Sequence, residues 1–162
     1  MTATDLVTAV ADEIRRATAN VKLPLEHHGS ADMKLVPVVP VNVYEGYLPR
    51  EAFNDDSYYP LVMVEWLATA DELDGSNAKS TATIGLNIGV FAAESWGWKD
   101  ALHLTEVVRQ HLLTNRLVAQ KFRLFGETSW EVPPDQPLPF FFTYATLTYR
   151  ILQVEDLSWR RF

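Results

Sequence analysis

Across residues 81–92 apolar and polar side chains alternate without interruption. Ala82, Ile84, Leu86, Ile88 and Val90 occupy one set of positions; Thr81, Thr83, Gly85, Asn87 and Gly89 occupy the other. Side chains of a strand point alternately to opposite faces, whereas a helix repeats near 3.6, so this stretch predicts a long strand with one apolar face.

The other periodic segments arrange themselves around it. In residues 2–20, Leu6, Val7, Val10, Ile14 and Ala17 recur at helical steps, with Asp12, Glu13, Arg15 and Arg16 turned outward. Thr2 followed by Asp5 forms a capping-box pattern at the start. A second helix is predicted over 98–115, with Ala101, Leu104, Val108 and Leu112 on one stripe, Asp100 near its beginning and Arg116 at its end. Further strands are expected at 41–47, 61–67, 120–130 and 140–152. Leu61, Val62, Met63 and Val64 are apolar on both sides, which predicts cover on both faces. Residues 21–40 carry prolines at 24, 37 and 40 and no sustained period, so an irregular connection is expected there. "REAFNDDSYYP" reads as a polar turn and "ATADELDGSNAKS" as a loop. The sum is one α+β domain over 1–162: a twisted, largely antiparallel sheet of about five strands, its two main helices on one face, and a C-terminal tail at 153–162.

Composition narrows the functional classes. A charged fraction of 22% and a hydrophobic fraction of 48% suit a folded domain. The chain has no cysteine, hence no disulfide framework and no thiolate metal site. A net charge of -7 argues against wrapping nucleic acid, which needs clustered Lys and Arg. The first residues lack the basic and apolar regions of a signal peptide, and no apolar run approaches the ~20 residues of a membrane span, so neither a leader nor a membrane partner is expected.

Chemistry-bearing residues are sparse. "LEHHGSAD" gathers Glu26, His27, His28 and Asp32, but adjacent histidines on an extended chain point apart, and a polar surface loop is the favoured reading over a metal site. His103 and His111 would stand about 12 Å apart along a helix. They read as flank residues with solvent or backbone partners. Glu65, beside Trp66, reads as a carboxylate at a sheet edge or paired across an interface rather than a catalytic one. Ser80, Ser95 and Ser129 lack a nucleophile-elbow context. No catalytic, cofactor or metal residue is assigned.

Two other features point to assembly. Gly85 and Gly89 flank Asn87 on the polar face of the alternating strand, where glycine marks either a bend or the close approach of another backbone. Five tryptophans and six tyrosines are many for one small core. The tail "VEDLSWRRF" ends in Trp159, Arg160, Arg161 and Phe162, residue types that anchor contacts between proteins.

Taken in order, "VNVYEGYLP", "DDSYYPLVMVEWL", "TATIGLNIGVFAAESWGWKDALHLTEVVRQHLL" and "LVAQKFRLFGETSWEVPPDQPLPFFFTYATLTY" resemble the tail terminator (tail completion) proteins of long-tailed bacteriophages and prophages. The resemblance covers about residues 41–152. It implies an α+β domain that assembles as a six-membered ring on the tail tube, ends tube polymerisation and meets the head connector, with DNA passing through. It further implies no cofactor, and a location in the virion tail after assembly in the host cytoplasm. The stretch "LEHHGSADMKLVPVV", residues 25–39 of the 21–40 connection, departs from that pattern and takes no role from it. Under this resemblance the expected contact residues are Tyr44 and Tyr47 on the first strand, Gly85, Asn87 and Gly89 on the alternating strand, Gln136 and Pro137 in the proline loop 133–139, and Trp159 and Phe162 in the tail. Pro49, Pro60 and Pro139 would mark strand ends. A bulky residue at 89 is expected to leave the monomer folded and weaken the ring. The rival readings are another head–tail joining or tube-like virion protein, and a small metal-dependent hydrolase using Glu26, His27, His28 and Asp32.

Overall fold

The computed structural model describes residues 2–24, 38–73, 79–92 and 97–152. Helix α1 spans Ala3–Thr18 and begins at the expected capping box: the Thr2 hydroxyl accepts from the Asp5 amide at 3.3 Å, and the Asp5 carboxylate accepts from the Thr2 amide at 2.7 Å. These bonds satisfy two of the donors that a helix start leaves open. Its stripe of Leu6, Val7, Val10, Ala11 and Ile14 is buried. Helix α2 spans Gly97–Thr114 and buries Ala101, Leu104, Thr105, Val108 and Leu112.

The described residues also form nine strands, numbered in chain order. β1 (Lys22–Pro24) and β2 (Val38–Pro40) form a separate antiparallel ribbon. β3 (Asn42–Glu45), β4 (Leu61–Glu72), β5 (Lys79–Phe91), β6 (Leu117–Val118), β7 (Phe122–Leu124), β8 (Ser129–Glu131) and β9 (Phe140–Ile151) make one seven-stranded sheet. Its order is β3-β4-β5-β9-β7-β6, with β8 also paired to β9. Only β3 and β4 run parallel. The α+β class and the helices on one face therefore hold, but the sheet is mixed and has more strands than about five.

The differences have local causes. The segment 120–130, expected as one strand, is kinked. Ala119 and Gln120 turn at φ 51° and 57°, and Gly126 turns at φ 71°. β7 and β8 consequently lie along the same edge of β9 at separate stretches, Arg123↔Arg150 and Ser129↔Thr146. Residues 68–72, expected as loop, extend β4, because the backbone of β5 continues beside them down to Glu72↔Lys79. The irregular connection has strand at both described ends, and residues 25–37 lie outside the described residues.

The alternating strand behaves as its pattern demands. Ala82, Ile84, Leu86, Ile88 and Val90 are buried against the helices, together with Val62 and Val64 of β4 and Phe141, Ala145, Leu147 and Tyr149 of β9. A second apolar cluster lies on the opposite face: Leu48, Ala52, Tyr59, Leu61, Met63, Phe91, Phe140 and Phe142, with Tyr44, Phe53 and Tyr58 at its margin. This cluster overturns the polar-turn reading of "REAFNDDSYYP". That segment forms two 3-10 turns, Arg50–Asn54 and Asp56–Tyr58, and they cover one end of the outer face.

Candidate assembly surface

The outer face divides into a covered half and an open half, and the two glycines of β5 mark the boundary. Gly89 lies in the covered half. A Cβ there would meet Phe142 Cε1 and Tyr59 Cε1, each at 2.8 Å. The approach that excludes a side chain at 89 is thus made by the chain's own rings, and the expectation that a bulky residue would spare the monomer is corrected accordingly. The Tyr59 hydroxyl donates to Phe53 O at 2.9 Å, and burial pushes its phenol well above the ordinary range. Burial, then the neighbouring Tyr58, likewise raises Tyr44.

Gly85 stands in the open half, beneath the flexible ends of Glu65 and Leu67. Asn87 donates to Glu65 Oε1 at 2.9 Å across β4 and β5, so the partner of Glu65 lies within its own sheet.

Gln136 explains itself through its prolines. Residues 132–139 cannot form a ladder, because four of the eight are proline and lack an N–H. The Gln136 amide takes over: it accepts from Phe142 N at 2.7 Å and donates to Phe142 O at 3.1 Å and Pro133 O at 3.0 Å. It stands in for a peptide group of the neighbouring strand, just beyond the last β8 pair, Glu131↔Tyr144. Pro137 and Leu138 project from this loop, Leu138 at 70% exposure.

Among the described strands, β4 is left open along part of its length. Its parallel partner ends at Glu45↔Val64, and no described strand covers its outer edge over residues 65–71. The edge is apolar in part: Trp66 and Leu67 are exposed, as is Leu73 just past its end at 82%. β4 bulges between Trp66 and Ala68, with Trp66 beside α1 and Leu67 over Gly85 on the other face. Beside it, Ala3, Thr4, Val7, Thr8, Glu45, Gly46 and Trp66 line a groove of about 530 Å³.

The remaining expected contact residues are scattered. Tyr47 is 79% exposed beyond the end of β3, while Tyr44 is half-buried against Tyr58. The β3 edge itself is occupied by α1, since Arg15 donates to Val43 O and pairs with Glu45 at 2.8 Å. Trp159 and Phe162 lie outside the described residues, as do Glu26, His27, His28 and Asp32. His103 is exposed. His111, read as a flank residue with a solvent or backbone partner, instead meets Glu13 Oε2 at 2.8 Å and ties α2 to α1. Among the described residues no group of three or more His, Asp or Glu side chains is placed to hold a metal ion. The sequence reading missed the β4 edge; the adjacent exposed pair Trp66–Leu67, out of step with the buried run before it, was its available signal.

No protein-family model matches this sequence, and no curated protein matches it. Among solved structures, one chain from "Virion of native gene transfer agent (GTA) particle" aligns with a TM-score of 0.49 at 13% identity, covering 93% of this chain and 98% of that chain.

Proposed function

We propose that this protein is a non-enzymatic virion assembly protein, a tail terminator that closes into a ring on the tail tube, ends polymerisation and meets the head connector. The observation that carries assembly is the edge of β4 that no described strand pairs with, where Trp66 and Leu67 are exposed and Leu73 just past its end. Unpaired strand edges invite pairing with other chains, and folded proteins otherwise cover, shorten or charge them. The motif resemblance over 41–152 supplies the particular role. A ring of identical copies needs two different patches on each subunit, joined head to tail. The β4 edge fits one. The proline loop held out by Gln136, with Pro137 and Leu138 at its tip, fits the other. The tube protein and the connector are the other partners; DNA passes without specific contact, and the acidic balance of the chain would keep a polyanion from sticking.

Electron microscopy and sedimentation of the purified protein at rising concentration test this reading. Closed rings of one size, which do not lengthen, are expected. Open tubes would instead favour a tube subunit, and a protein that stays monomeric at millimolar concentration would count against assembly through its own edges.

A further inference from the structure

The chain carries -7 overall, yet one end of its sheet is basic. Lys79, Lys121, Arg123 and Arg150 are all exposed and line a cleft of about 290 Å³ with Ser80 and Ile151; Leu152 completes it. No carboxylate lines that cleft, and no ion pair among the described residues involves these four cations, although Lys121 acts at longer range on Asp5 of α1. Glu72 stands opposite Lys79 in the register. Arg123 and Arg150 face each other directly across β7 and β9. Like charges in that position oppose pairing, and an anionic group seated between them would relieve the repulsion. Arg150 is held in place by the Phe125 ring, 4.8 Å below its guanidinium carbon.

The other end of the same strands has the opposite character. Asn54, Asp55, Asp56, Phe91, Pro139 and Phe140 line a cleft of about 440 Å³. Glu51 and Asp55 are exposed nearby, with Arg50 the cation of that turn. The Asp55 carboxylate accepts from Ser57 N at 2.9 Å, which fixes its orientation. The β5–β9 register runs from Ser80↔Ile151 at the basic end to Phe91↔Phe140 at the acidic end, a span of roughly 35 Å. The basic cleft lies across the ends of β5, β9 and β7, and the acidic one adjoins the proline loop.

We propose that the cleft of Lys79, Lys121, Arg123 and Arg150 receives the acidic turn at residues 51–56 of a second copy, so that charge sets the direction and register of the head-to-tail contact. This rests on the assembly reading above and deepens it. Complementary charge supplies orientation and speed of association more than raw affinity, which is the need of a contact that must close in one sense. A second copy is favoured over DNA because every other copy of this chain is an acidic surface at high local concentration, whereas a polyanion must first approach a chain of the same sign.

The test uses full-length protein, an equal mixture of unlabelled and heavy-isotope-labelled chains, treated with a zero-length carboxyl-to-amine cross-linker. Mass spectrometry should find mixed-isotope links from Lys79 or Lys121 to Glu51, Asp55 or Asp56. Assembly of Arg123→Glu/Arg150→Glu, and separately of Asp55→Lys/Asp56→Lys, should weaken about tenfold at low salt, and mixing the two variants should restore it. Neutral Arg123→Gln/Arg150→Gln, compared by circular dichroism, separates loss of contact from loss of fold. Links confined to one copy, including to that chain's own Glu155 or Asp156, overturn the proposal. So does duplex DNA binding that the arginine reversals abolish. Rings whose links map elsewhere sink this pairing alone. The expected links within an open filament would leave the pairing standing and sink the terminator reading, and a monomer without intermolecular links sinks both.

Discussion

Replacing Gly89 and Gly85 in turn by alanine separates two reasons for glycine in a strand. Both substitutions remove the backbone freedom that glycine must lose on folding, a gain of about 0.5–1 kcal/mol. They differ in what the new methyl meets. At 89 it would lie 2.8 Å from ring carbons of Tyr59 and Phe142, which are 1% and 7% exposed and locked in the second apolar cluster. Forcing a buried cluster apart costs about 1–3 kcal/mol. At 85 the contacts are Glu65 Cγ and Leu67 Cδ1 at 3.1 Å and Glu65 Oε1 at 3.2 Å, all in side chains; Leu67 is 48% exposed, and Glu65 can move together with its Asn87 partner. A shift of a few tenths of an ångström relieves them. Gly89→Ala is therefore expected to destabilise the monomer by about 1–2 kcal/mol, and Gly85→Ala to leave it unchanged or slightly more stable. In urea, with a slope near 2 kcal/mol/M, the Gly89→Ala midpoint should fall by about 0.5–1 M at unchanged slope. A Gly89→Ala midpoint at or above that of Gly85→Ala would refute the claim that Tyr59 and Phe142 dictate the glycine.

Gln136→Ala should cost about 1–3 kcal/mol, since it leaves the Phe142 amide and carbonyl without their side-chain partner, and amide exchange at Phe142 should quicken markedly. Unchanged exchange there would deny Gln136 its role as a strand substitute. The Tyr149 hydroxyl is buried without a hydrogen-bond partner among the described residues, so Tyr149→Phe should raise stability by about 1 kcal/mol, read from the urea midpoint. Asp5 is held below its ordinary pKa, first by the Thr2 backbone N–H and then by the Thr2 hydroxyl. Its contribution is present above about pH 4 and is lost as pH falls through the lower folded-state value, so Asp5→Asn should flatten stability against pH in that acid range.

What the sequence exposed well was whatever depends on backbone pitch. The helix stripes of Leu6 to Ile14 and of Ala101 to Leu112, the Thr2/Asp5 cap and the two faces of β5 follow from local spacing, and the structure places each as expected. The apolar run at Leu61, Val62, Met63 and Val64 correctly signalled cover on both sides, though nothing in it told that Tyr59 and Phe53 would supply the second cover. The kink at Gly126 escaped notice because β7 and β8 remain on one edge of β9, which keeps their composition strand-like on both sides of the turn.

The candidate surface was legible only in pieces. Tyr47 and Pro137 are exposed as a contact residue must be, whereas Gly89 and Gln136 serve the fold of their own chain first. Sequence by itself determined the elements and which side of each is apolar, since 3.6- and two-residue periods are set by the covalent chain. Tertiary structure alone decided which edge stays open, what fills the space above Gly89, and that Lys79, Lys121, Arg123 and Arg150 converge at one end. Those outcomes depend on strand order and register, which join residues far apart in the chain and leave no local period to read.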